Sequence, residues 1–428
     1  MEHTLKKNYP TPAGGGISGE QKTPSFSQVL IVFGAALGLC VGFAPVFFGT
    51  ISIFLKPVAE EFDWGRAQAS GATVFSMLGA AFGAIAVGNL IDRFGPPRVI
   101  ISSVIATTAL VALLSKIGNS PALFTALSFS IGFVGAGTTP PGYLSVLARC
   151  FDKRLGLALG FAGIGMGVGT ILMPMLASHL IVSQGWRQAY VSLAMLSGAT
   201  GMLACFILFL RAGNKHQAGL SPTVETSPVK GMTAREAIRS RNFWLLLGVV
   251  MAVAVSSLGV VIHFVAMLTD RGVEAHMAAK AVAISGAGVV IGRVACGYML
   301  DRYHAPMIAA GAFFLAAIGV VLLLNGQEVE FAWLALSGLF IGFALGAEGD
   351  FLPFFVRKYF GLKAFGSIYG MLFFAHGIGG VLGPVLFGLA FDHFNDYSFA
   401  LWGAASLLCM AAAAVVFMGR YREFGDKQ

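Results

Sequence analysis

Charge is scarce in this chain. Only 11% of its 428 residues are Asp, Glu, Lys or Arg, against about 25% in ordinary soluble domains. So few charges cannot cover a water-facing surface, and a soluble globular protein is excluded. Cysteine is sparse as well, with single residues at Cys40, Cys150, Cys205, Cys296 and Cys409. Their scatter gives neither a disulfide framework nor a metal-ligand spacing. The sequence also has no nucleotide-binding loop, no metal cluster and no nucleophile–base arrangement. Its Gly163-x-Gly165-x-Gly167 run lies inside an apolar stretch and is no dinucleotide fingerprint. An enzyme is not expected, nor is a cofactor. The first 27 residues lack the charged-then-apolar order of a cleavable signal peptide and read as a polar tail.

Apolar residues are what the chain has in quantity. They make up 57% of it, and Gly supplies 56 positions, well above the typical ~7%. Small residues let membrane helices approach closely. Apolar runs of about 20 residues recur, the length that crosses a bilayer as a helix. Spans are expected at 28–55, 68–91, 97–115, 121–148, 155–183 and 189–210, and again at 243–268, 277–300, 306–324, 331–356, 364–391 and 398–419. The expectation is therefore an all-α membrane protein of twelve spans in two six-helix bundles, 28–210 and 243–419. A polar tail (1–27), a linker (211–242) and a short end (420–428) complete the organisation. Within the linker, Thr233-Ala-Arg-Glu236 reads as a capping box that opens a short helix.

Basic residues set the expected orientation. With both ends in the cytosol, 21 of the 28 Lys and Arg residues fall on the cytosolic side. Six fall outside: Lys56, Arg66, Lys116, Arg187, Arg271 and Lys280. The formal net charge of +8 then belongs to a face apposed to anionic lipid, not to a nucleic-acid surface.

Two copies of one signature lie 209 residues apart. Gly88-Asn-Leu-Ile-Asp92-Arg93-Phe94-Gly95 closes the second span, and Gly297-Tyr-Met-Leu-Asp301-Arg302-Tyr303 closes the eighth. A charged pair is costly in lipid, so each marks a membrane surface. The repeat extends at a spacing of 210, where Ile131-Gly132-Phe133 matches Ile341-Gly342-Phe343, and Gly160, Gly169 and Pro174 match Gly370, Gly379 and Pro384. An even number of spans separates the copies, so the repeats are parallel, an architecture typical of secondary transporters.

Gly88, Asp92, Arg93, Gly95 and Arg98 resemble the signature loop of the major facilitator superfamily, and Gly297, Asp301 and Arg302 resemble its second-half counterpart. The stretch Phe54-Leu-Lys-Pro-Val-Ala-Glu-Glu-Phe62-Asp-Trp64-Gly-Arg66 is similar to the monocarboxylate porter branch and its oxalate/formate-exchanging bacterial relatives. The stretch from His263 to Gly272 is similar to bacterial members. The resemblance implies alternating access to a site between two halves. It also implies an arginine on the eighth span that holds a substrate carboxylate. Two family residues tied to proton coupling are replaced here, by Gly49 and Val289.

Charges within spans are the candidate site. Arg293 lies eight residues before Asp301, roughly 12 Å from the span end at 1.5 Å per residue. Its planar fork suits a carboxylate, while snorkelling or pairing with Glu348 is the structural alternative. His376 on the eleventh span and His263 on the seventh are further substrate-binding candidates, each with a structural alternative. Glu348 and Asp350 are candidates for proton transfer, or for pairing with Arg302 or Arg293 to hold the cytosolic side closed. Asp92, Arg93, Asp301 and Arg302 are expected to gate that side. The function expected is secondary transport of a small mono- or dicarboxylate in the inner (plasma) membrane, driven by proton symport or anion exchange. Efflux of amphipathic molecules is the alternative on the same fold, and a non-transporting sensor is an alternative of another class.

Overall fold

The computed structural model describes residues 26–217, 230–324 and 331–421. The expected polar tail up to residue 25, part of the linker (218–229) and the end beyond residue 421 lie outside the described residues.

Apolar helices account for nearly all of the rest. In chain order, α1 is Phe26–Phe62, α2 Ser70–Phe94, α3 Pro96–Lys116 and α4 Pro121–Cys150. Helical structure then runs from Leu155 to Gln217 as one stretch, interrupted at Gly185 (φ 76°, ψ 160°), a backbone conformation that suits glycine. This single residue divides α5 (155–184) from α6 (186–210). A five-residue turn is expected between spans 5 and 6, but one left-handed glycine is enough to reverse the chain. The remaining spans are α7 (Arg241–Asp270), α8 (His276–Leu300), α9 (Ala305–Leu322), α10 (Phe331–Phe360), α11 (Phe365–Phe394) and α12 (Ser398–Val416). Large apolar side chains such as Val182, Met195, Phe206 and Phe399 point outward, where a bilayer would cover them.

Two spans are broken where the sequence removes backbone donors or adds flexibility. In α1 a π-helical turn, Ala44–Phe48, follows Gly42 and begins at Ala44-Pro45. In α4 the helix stops at Gly135, turns through Ala136–Thr138, extends at Thr139 and restarts at Pro140–Pro141. Pro at the first helical position lacks a donor that would be unpaired anyway.

The parallel repeat is visible in packing as well as in sequence. A Cβ on Gly83 would overlap the Phe133 carbonyl, and one on Gly292 would overlap the Phe343 carbonyl. Gly132 meets the Ser76 carbonyl in the same way that Gly342 meets that of Ser285. So α2 packs on α4 through the glycine contacts that α8 makes with α10. Between the halves, Gly88 of α2 touches Gly366 of α11 backbone to backbone, and Gly297 of α8 touches Gly156 of α5. The connector Thr233–Glu236 forms the expected capping box, with Glu236 N donating to Thr233 Oγ1 (3.3 Å) and Thr233 N donating to Glu236 Oε2 (2.8 Å). It opens a short helix, Ala234–Ile238. Just before it, Met232 N donates to Phe360 O and Leu362 N to Lys230 O, which docks the connector on the α10–α11 turn.

Candidate functional site

The two Asp-Arg signatures stand on one face of the bundle, here termed the motif face. Each Asp reaches across to the opposite half. Asp92 accepts from Gly366 N (2.9 Å), Ser367 N (2.7 Å) and Ser367 Oγ (2.7 Å) at the start of α11. Asp301 accepts from Gly156 N (2.8 Å) and Leu157 N (3.0 Å) at the start of α5. A carboxylate at a helix N-terminus satisfies free N–H groups and complements the helix dipole. Burial pushes the Asp301 carboxyl above the ordinary range, while the two N–H donors pull it back. Asp92 also pairs with Arg149 of its own half (3.2 Å), and Arg357 on α10 bonds Asp152 across the seam. Among the described residues the arginines of the signatures make no ion pair with the opposite half. Arg93 lies over the Phe94 ring and Arg302 over the Tyr298 ring.

Deeper in the seam, the charged residues of α8, α10 and α11 form two pairs. Arg293 Nη1 lies 3.2 Å from Asp350 Oδ1, with the residues 6% and 0% exposed. His376 Nδ1 lies 3.0 Å from Glu348 Oε1. Glu348 and Asp350 are two residues apart, hence roughly 200° apart around the helix. One helix thereby reaches two neighbours. Of the alternatives open from sequence, Asp350 takes Arg293, Glu348 takes His376, and Arg302 takes neither.

Arg293 is seated against glycine on both sides. A Cβ at Gly163 of α5 would overlap its Nη1, and one at Gly349 would stand 3.2 Å from that atom. The guanidinium therefore lies between the halves. Its Nε, Asp350 Oδ2 and Glu348 Oε2 are buried without a hydrogen-bond partner among the described residues. Unmade buried bonds to charged groups are costly, so this cluster has bonding capacity to spare. His376 keeps about a quarter of its side chain accessible. Fully buried Tyr369 lies within electrostatic reach of both Arg293 and Asp350.

His263 stands apart from these pairs. Its Nε2 is 3.1 Å from Pro384 O, its Nδ1 3.4 Å from Tyr397 Oη, and its ring stacks on Phe387. The 54–66 stretch forms a clasp at the opposite face. Trp186 Nε1 donates to Glu61 (2.7 Å), Trp64 Nε1 donates to Asn119 (2.7 Å), and Phe54 stacks on Tyr190. Among the described residues no group of His, Cys, Asp and Glu is arranged to hold a metal ion.

Sequence reasoning missed the seat of Arg293, because Gly163 is one glycine among many in α5. It also missed what the signature Asp residues bind. A signal for that was present: Gly156 and Gly366 are themselves 210 residues apart, in register with the repeat.

Residues 37–355 match the family model described as Major Facilitator Superfamily. The chain belongs to this superfamily. Relatives include the bovine monocarboxylate transporter 13, 25% identical over 421 residues and covering 96% of this chain and 91% of that one. The 4-hydroxybenzoate transporter PcaK of Pseudomonas aeruginosa is 25% identical over 416 residues, with 86% and 87% covered. Among solved structures, the superfamily's proton:xylose symporter XylE superposes with a TM-score of 0.68 at 14% identity, over 90% of this chain and 94% of that one. That likeness speaks for the fold. Together these findings make the chain a multi-pass membrane transporter of the major facilitator superfamily, for a small-molecule substrate.

Proposed function

We propose that this protein is a secondary active transporter of a small organic anion, with Arg293 as the anchor for a substrate carboxylate. The observation that carries the reading is the buried Arg293–Asp350 pair, seated at the seam between the halves with polar atoms to spare. An arginine fork binds a carboxylate through two parallel hydrogen bonds. A substrate carboxylate would replace Asp350 on that fork. A carboxylate left buried without its cation is strongly disfavoured and takes up a proton. Anion and proton would then move together. The two named relatives are both transporters of carboxylic acids, which supports this cargo class.

His376, the most accessible member of the two pairs, would make the second polar contact, and Glu348 would hold its ring. His263 would contact substrate nearer the opposite face. Asp92 and Asp301, with Arg93 and Arg302 beside them, would lock the motif face. Rocking of residues 28–210 against 243–419 would break the helix caps and open that face. A substrate drives such a change only by binding the two states unequally. The basic residues suggest that the motif face is cytosolic, in the inner (plasma) membrane.

Uptake by proteoliposomes tests the proposal, using short monocarboxylates, dicarboxylates and benzoate-type acids with and without a pH gradient. Uptake of at least one class of acid, accelerated by an inward proton gradient, is the expected result. Acceleration by a trapped counter-anion alone would establish exchange in place of symport. Transport of only neutral or cationic compounds would sink the anion reading.

A further inference from the structure

The two signature Asp residues are placed alike, but their surroundings are not. Asp92 is closed in by Arg149 at the end of α4. In the 210-residue register of these two helices the counterpart of Arg149 is Tyr359, and the cation next to it is Lys358, at the end of α10. It makes no ion pair with Asp301 among the described residues, although it acts on that carboxylate electrostatically. Its ammonium lies instead near the rings of Phe354 and Tyr421. Where the first half has an ion pair, the second has a cavity of about 710 Å³ on the motif face.

The charge of this cavity is one-sided. Lys153 and Arg154 enter from the α4–α5 turn of the first half, and Arg302, Arg357 and Lys358 from the second. The two lining acids are already engaged, Asp301 by backbone N–H groups and Asp152 by Arg357. Arg357 Nη1 is buried and has no hydrogen-bond partner among the described residues. Arg154 is held at φ 61°, an uncommon conformation for a residue other than glycine. Aromatic side chains (Tyr298, Tyr303, Phe354 and Tyr421) supply apolar wall between the cations.

We infer that this cavity binds a phosphate-bearing ligand whose anionic group bridges Lys153 of one half and Arg357 and Lys358 of the other. Arg and Lys together suit phosphate oxygens, the first through its fork and the second as a point charge. The volume falls in the range of sites for small organic ligands and leaves room for an organic group beyond the phosphate itself. The occupant is therefore an organic phosphate, either a soluble phosphorylated metabolite or a phospholipid headgroup. Because the cations come from both halves, occupancy bolts the motif face shut and slows its opening. This regulatory role is independent of which acid the central site carries.

The full-length protein in phosphatidylcholine nanodiscs provides the test, read by hydrogen exchange at 151–157 and 354–362. One arm adds glycerol 3-phosphate at matched ionic strength with chloride as control. The other replaces part of the lipid with phosphatidylglycerol. Slower exchange in the first arm identifies a soluble ligand, and in the second a headgroup. In Lys153→Gln/Lys358→Gln the protection disappears at concentrations that half-saturate the wild type. The half-saturating glycerol phosphate concentration rises at least about tenfold, as expected for two lost charge-assisted bonds. Lys153→Arg/Lys358→Arg retains the effect. The single Lys153→Gln variant, at an exposed position, weakens it without touching the core. No protection in either arm, or equal protection in the Gln variants, overturns the inference.

Discussion

The guanidinium of Arg293 on α8 is packed so closely on Gly163 of α5 that no side chain fits between them. This contact ties the candidate site to the seam between the halves. A change at either residue is therefore felt both in substrate binding and in closure.

Gly163→Val is expected to displace the guanidinium. Inserting methyl groups into a packed interface costs about 1–3 kcal/mol. The variant should fold, lose about five- to 150-fold in uptake at that energy, and show faster hydrogen exchange at 156–163 and 290–297. Wild-type uptake by Gly163→Val would detach the seam from the site.

Asp92→Asn removes the charge from four interactions, three with Gly366 and Ser367 and one with Arg149. Hydrogen bonds to charged groups contribute about 1.5–3 kcal/mol each. Faster exchange is expected at 364–370, with the motif face open more of the time. Asp301→Asn should act in the same sense at 155–159. If exchange at both caps is unchanged, the two Asp residues do not hold the face closed.

Asp350→Asn leaves Arg293 charged but takes away the acid that would carry the proton. The expected outcome is persistent exchange of labelled for unlabelled acid, with accumulation driven by a pH gradient lost. Accumulation undiminished in Asp350→Asn, but lost in His376→Ala or Glu348→Gln, would move proton coupling to the second pair.

His263→Ala breaks contacts to Pro384 and Tyr397. As a substrate contact, His263 predicts a raised KM in this variant at little change in Tm. A lowered Tm at unchanged KM would show that the ring only ties α7 to α11.

Most of the fold was legible in the sequence, because apolar run length is what a bilayer selects. Ten of the twelve expected spans correspond one to one with a helix or with helices broken at Pro or Gly, and spans 5 and 6 share one stretch that Gly185 divides. Gly185 was the exception: periodicity carries no sign that one residue will take φ 76° and replace a loop. At the site, Arg293, His376, Glu348 and Asp350 stood out because polar groups are rare in spans. Their pairing did not, since it depends on how α10 is rotated between α8 and α11. The repeat spacing held the rest. It pairs Ala84 with Arg293, so the first half has no cation at the matching position.

The most direct measurement compares carboxylate uptake by wild-type protein with that of Arg293→Gln, Arg293→Lys and the double variant Arg293→Gln/Asp350→Asn. Removing Arg293 alone leaves Asp350 buried without its cation, a loss of about 3–5 kcal/mol, while neutralising both partners avoids that penalty. The double variant is therefore expected to recover a near wild-type Tm, yet to show no uptake of the acid. Arg293→Lys, with charge but no fork, should retain a fraction. Uptake at the wild-type rate by the stable double variant would contradict the assignment of Arg293 as the carboxylate anchor.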